Sequence, residues 1–197
     1  GLVGSEMCIR DRARPAGHEG LWFDSEPEDP WDKYVWKSQK YIGKGGEIPK
    51  LGPGTADKAF WGLPDLCSKK LQQRMKDVGF EFAEGAFKDP GMHGCWFLEV
   101  GTSAFSLRSQ SLIMYSTEDK HFKEFRVRQD FPAPSGKQRF VHLTADIGVH
   151  SCGVVRPFVN KVHLDVLPVE KEDEVELNEI CRRATAYSQI VDNIVNQ

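Results

Sequence analysis

Between positions 94 and 167 the apolar residues of this chain alternate with a period of two, and that pattern constrains the fold more than any other feature. The runs 94–100, 111–116, 122–131, 139–147 and 159–167 are rich in β-branched and aromatic side chains and are separated by turn clusters such as Pro132-Ala133-Pro134-Ser135-Gly136. Val141, Leu143 and Ala145 alternate with His142, Thr144 and Asp146, as in a sheet with one buried face and one wetter face. Five such runs in succession predict an antiparallel meander. The period then returns to 3.6: over 174–196, Leu177, Ile180, Cys181, Ala184, Tyr187, Ile190, Val191, Ile194 and Val195 form one broad apolar stripe, with acids in the first turn, where the helix dipole favours them. A stripe that wide needs a surface to cover. The expected fold is therefore α+β: a mostly antiparallel sheet of five to six strands, packed by a long C-terminal amphipathic helix.

Upstream, positions 13–64 carry Pro15, Pro27, Pro30, Pro49, Pro53 and Pro64, which interrupt helical periodicity and predict extended chain and turns. Trp22, Trp31, Trp36, Tyr41, Phe60 and Trp61 supply too much apolar area for a disordered tail, so this segment is expected to strap the core. A first helix is predicted at 65–78, with Asp65 or Ser68 as N-cap, Cys67, Leu71, Met75 and Val78 on one face, Lys69, Lys70, Arg74 and Lys76 on the other, and Gly79 as the stop. Residues 1–12, GLVGSEMCIRDR, read as a translated sequencing adapter and stand outside fold reasoning, with the natural start of the gene product expected upstream of about residue 13. The remainder, 65–197, is expected to be a single α+β domain.

The net charge of −3 excludes the strongly basic profile of a nucleic-acid binder. The apolar stretches are too short and too interrupted to cross a bilayer, which predicts a soluble or peripheral protein. Outside the adapter block the cysteines are Cys67, Cys95, Cys152 and Cys181, without a CxxC pair; in a chain of this size they predict reduced thiols and an intracellular compartment.

Candidate chemistry is sparse. His142, Asp146, His150, Cys152, His163 and Asp165 are residue types that suit zinc, but their spacing matches no metal motif, and solvated strand faces carry such residues routinely. Cys152 beside His150 lacks the positive neighbour that would activate a thiolate. Gly43-Lys44-Gly45-Gly46 lacks phosphate-loop spacing and predicts a turn. No catalytic residue, cofactor or resident metal is expected. The basic residues Arg126, Arg128, Arg139, Arg156 and Lys161, with His163, are the candidate ligand-binding set, joined by the basic face of the first helix; together they would hold anionic lipid headgroups.

Tyr34-Val35-Trp36-Lys37-Ser38-Gln39-Lys40-Tyr41-Ile42 followed by Ile48-Pro49, the stretch from Phe60 to Leu66, Ala145-Asp146-Ile147-Gly148-Val149-His150-Ser151, and Glu176-Leu177-Asn178-Glu179 occur in an order that resembles the C-terminal domain of the plant enhanced-disease-resistance proteins. The resemblance implies an accessory domain that follows membrane-binding and lipid-transfer-like modules, and it implies no catalytic residues. The expected function is a non-enzymatic lipid- or membrane-associated domain. Two alternatives stand beside it. One is a structural subunit of a larger assembly, contacting protein partners through Trp22, Trp31, Trp36 and Trp61; the other is a small metal-dependent enzyme using His142, His163 and Asp165.

Overall fold

The computed structural model describes residues 13–89, 91–100, 110–117, 126–127, 139–145, 149–159, 161–171 and 175–196. Its helices are α1 (Pro30–Ser38), α2 (Lys69–Val78) and α3 (Leu177–Val195), and its strands are β1 (Phe80–Asp89), β2 (Met92–Glu99), β3 (Gln110–Thr117), β4 (Arg126–Val127), β5 (Arg139–Ala145), β6 (Val149–Val159) and β7 (Val162–Lys171). The strands form one antiparallel sheet in the order β1-β2-β3-β7-β6-β5-β4. This is the expected α+β arrangement, but the single meander is corrected: two meanders, β1–β3 and β4–β7, meet where β3 pairs with β7. The sheet runs to seven strands because β1 and β6 add to those legible in the sequence. β6 was hidden by Gly153 and Pro157, the latter beside a register shift near the strand's end, where a missing N–H is tolerated.

Alternation divides the sheet into two apolar faces. Cys95, Phe97, Ile113, Tyr115, Val162, Leu164 and Val166 share a buried core with Tyr187, Ile190, Val191 and Ile194 of α3 and with Trp31 and Val35 of α1. Phe80 and Tyr187 meet edge to face at 5.0 Å, and Trp31 adds rings at 5.7 and 6.2 Å, a geometry that contributes beyond area alone. These side chains occupy the space between sheet and helix. The opposite face carries a second cluster of Met92, Leu112, Met114 and Leu167, with Trp96 against it.

The strap contains a helix where extended chain was expected. Pro30 does not break α1 because it occupies the first turn, where its missing N–H has no partner to lose, and Asp29 caps the helix by accepting from the N–H groups of Trp31 and Asp32. Ser68 caps α2 through the N–H of Leu71. Arg74 leaves the expected basic face: it is buried, donating to the carbonyls of Lys44 and Ile194 and to Glu47, so it holds the last turn of α3 against the Gly43–Gly46 turn. Gly45 touches the backbone of Val195 and Asn196 so closely that a Cβ there has no room.

The thiols are also corrected. Cys67 pairs with Cys95, and Cys152 with Cys181, at Cα separations of 5.7 and 4.9 Å. Sheet register and helix docking bring together residues 28 and 29 positions apart, which spacing alone does not reveal. The inference of an intracellular compartment rested on free thiols and loses that support.

One ionic network joins α1 to α3. Arg182 donates to both oxygens of Glu179 at 2.8 and 2.9 Å and reaches Asp29 at 3.1 Å, while Arg183 adds a bond to Glu179. The hydrogen bonds from Arg182 hold the Glu179 carboxyl below its usual range, against burial. Burial alone raises Asp29, but the Asp32 N–H and Arg182 outweigh it, and the net shift is downward. Carboxylates depressed in the folded state contribute stability above their unfolded pKa, and that contribution is lost as pH falls through the folded value. Thermal melts of Arg182→Ala are therefore expected to fall below the parent at pH 7 and to converge on it below about pH 4. Because the pair is partly exposed, the neutral-pH gap is about 1 kcal/mol or less. A constant gap across pH would remove the network from the account.

Candidate functional site

Among the described residues, Arg156 and His163 of the expected basic set lie on opposite faces of the sheet. β5 pairs with β6 so that Arg126 and His142 lie in register with Cys152, whose disulfide to Cys181 marks the helix-bearing face. Arg139 is located only by its register opposite Val155, and His163 alternates with Val162 and Leu164 of the helix-side core and so falls on the other face. Arg156 is neutralised: it forms a close ion pair with Asp192 of α3 and stacks over Phe158 at 5.0 Å. Burial raises the Asp192 carboxyl, and Arg156 opposes that shift. Arg128 and Asp146 lie outside the described residues. Of the set, Lys161 stands exposed at the β6–β7 turn.

Cys152 is consumed by its disulfide, and His142 is located only by its register opposite Cys152. His150 is located only by its register opposite Thr144 and Glu170. Asp165 is buried and accepts a 2.5 Å hydrogen bond from Ser116 Oγ. That direct hydroxyl–carboxylate bond is not the order of a nucleophile served by an imidazole base.

What the fold assembles instead lies at one end of the sheet. The strap doubles back on itself, Lys50 bridging to Pro64 and Leu51 exchanging backbone hydrogen bonds with Gly62 and Leu63. Phe60 from this loop stacks on Tyr115 at 6.0 Å, Tyr115 meets Phe158 at 5.5 Å, and the Tyr115 hydroxyl donates to the Pro64 carbonyl. This chain of rings fixes the loop beside the β6–β7 hairpin. The two outer rings, Phe60 and Phe158, are each followed in the chain by an exposed apolar residue: Trp61 is 41 % exposed and Val159 is 41 % exposed. Lys50, Lys58 and Lys161 are exposed on the same segments, and among the described residues none forms an ion pair. The other expected contact tryptophans are less available. Trp31 is core, Trp36 is half-buried, and Trp22 is half-buried with its indole N–H bound to Asp24.

Lys161 has φ 65°, the left-handed region, which costs a residue with a Cβ roughly 1 kcal/mol. Lys161→Gly is thus expected to raise stability by up to about 1 kcal/mol in urea unfolding; an unchanged or lowered midpoint would contradict the strained turn.

Among the described residues no helix is long and apolar enough to cross a membrane. Compared with protein-family models, curated proteins and solved structures, the chain matches none.

Proposed function

We propose that this domain is a non-enzymatic accessory module that docks peripherally on anionic membrane surfaces through the sheet end bearing Trp61, Val159, Lys50, Lys58 and Lys161. The observation that carries this reading is the Phe60–Tyr115–Phe158 chain of rings, which fixes the strap loop bearing exposed Trp61 and Lys58 beside the hairpin bearing exposed Val159 and Lys161. Indole is suited to the headgroup level of a bilayer, a valine at a hairpin tip enters its apolar boundary, and lysines on the rim are attracted to anionic lipid at about 1 kcal/mol each. The resemblance to the enhanced-disease-resistance domain points to the same setting.

The test is co-sedimentation with phosphatidylserine-containing vesicles. Lys58→Glu, Lys161→Glu and Trp61→Ala are each expected to weaken binding to these vesicles at least about fivefold. Lys76→Glu, on α2 near the opposite end of the sheet, should leave binding in place. Equal losses at Lys76 and Lys161 would mean that net charge, rather than this surface, governs the interaction.

A further inference from the structure

The corner where the strap meets β2 carries a donor set that the proposed membrane surface does not use. Asp65-Leu66-Cys67 and His93-Gly94-Cys95 are two donor-x-cysteine doublets, and the Cys67–Cys95 bond places them against each other. Period-two geometry puts His93 and Cys95 on the same face of β2. A carboxylate oxygen of Asp65, Sγ of Cys67 and a ring nitrogen of His93 all lie within 4.8 Å of one another. His93 is 4 % exposed, and its Nε2 has no hydrogen-bond partner although it stands 3.9 Å from Asp65 Oδ1. A buried imidazole nitrogen left without a bond is costly, and its direction into a cluster of metal-ligating atoms is what points to a ligand.

We propose that reduction of the Cys67–Cys95 disulfide opens a tetrahedral zinc site formed by Asp65, Cys67, His93 and Cys95, so that this corner has two alternative closures, a disulfide and a metal clip. A thiol reductant supplies the electrons. Two of its molecules are oxidised to one disulfide, the protein S–S bond breaks, and each sulfur takes up a proton. Zn2+ then binds as both thiols release their protons to solvent, leaving two thiolates, one imidazole nitrogen and one carboxylate oxygen on the ion. Two sulfurs and an imidazole select zinc over calcium or magnesium. Zinc–ligand distances near 2.0–2.3 Å hold neighbouring donors about 3.3–3.8 Å apart, so the side chains draw in by about an ångström. Asp65 and Cys67 are half-buried, which gives reductant and ion a path to the site. Either closure ties the loop before α2 to β2, so the corner stays fastened in oxidising and reducing surroundings alike.

The full chain, with Cys8 of the adapter block changed to Ser, is reduced with a phosphine, freed of it, and titrated with Zn2+ or Co2+ alone. The expected result is one ion per reduced chain, with thiolate-to-cobalt charge-transfer absorption, and none on the oxidised chain. His93→Gln and Asp65→Asn should each weaken zinc binding by at least about tenfold. Replacing both Cys152 and Cys181 by Ala should leave the cobalt spectrum unchanged. Absence of the thiolate band on the reduced Cys8→Ser chain, or retention of full affinity in His93→Gln, would overturn the proposal. The first of these outcomes does not depend on any site variant folding.

Discussion

Ile190→Asp leaves no cooperative unfolding transition. Ile190 is fully buried between α3 and the sheet, in the cluster that includes Tyr187, Val191 and Ile194. Removing its side chain forfeits about 2–3 kcal/mol of burial, and a carboxylate placed there has no cationic partner within that apolar cluster and adds several kcal/mol more. A domain of this size has roughly 5–15 kcal/mol in total, and α3 is the element on which both the α1 contacts and the helix-side face of the sheet depend. Near-ultraviolet circular dichroism during heating is the measurement; the parent is expected to show a single sigmoid and the variant a featureless trace. Asn178→Asp, exposed in the first turn of the same helix, should stay within about 0.5 kcal/mol of the parent. A sigmoid in Ile190→Asp with its midpoint little changed would mean that α3 docking is not a main stabilising contact.

The second large effect is at the other end of α3. Cys181→Ala removes the bond to Cys152 that pins the start of the helix to β6, within a small cluster that also contains Val154, Ile180 and Ala184. Releasing a cross-link between residues 29 positions apart returns chain entropy to the unfolded state worth about 3.5 kcal/mol. Urea unfolding should show that loss, and the melting midpoint should fall by about 7–14 °C. A loss below about 1 kcal/mol would show that the helix start is held by its apolar contacts without the cross-link.

Much of the architecture was legible because it rests on periodicity. The α3 stripe, the α2 face of Leu71, Met75 and Val78, and strands β2, β3, β5 and β7 all follow from alternation or helical spacing. What escaped depends on long-range partners. Arg74 looks like a solvated lysine-type residue in sequence, yet it is buried because α3 ends with a carbonyl in its path. Pro30 looks like a breaker and is a first-turn residue of a capped helix. The disulfides follow from docking of separate segments, Cys67 of the loop before α2 onto Cys95 of β2 and Cys181 of α3 onto Cys152 of β6, which no single segment reveals.

The site was less legible still. A basic residue such as Arg156 carries no sign in the sequence that Asp192 neutralises it. The loop of Trp61 lies beside the hairpin of Val159 because rings from three separate segments meet. The Asp-x-Cys and His-x-Cys doublets were visible signals, but their meaning depended on their being brought together.

The most direct test of the membrane-docking account is the binding of the unmodified chain to vesicles of phosphatidylcholine with and without phosphatidylserine, measured at increasing salt. The account predicts binding that requires phosphatidylserine and weakens as salt screens the exposed lysines. Binding that ignores phosphatidylserine, or no binding at low salt, would contradict it.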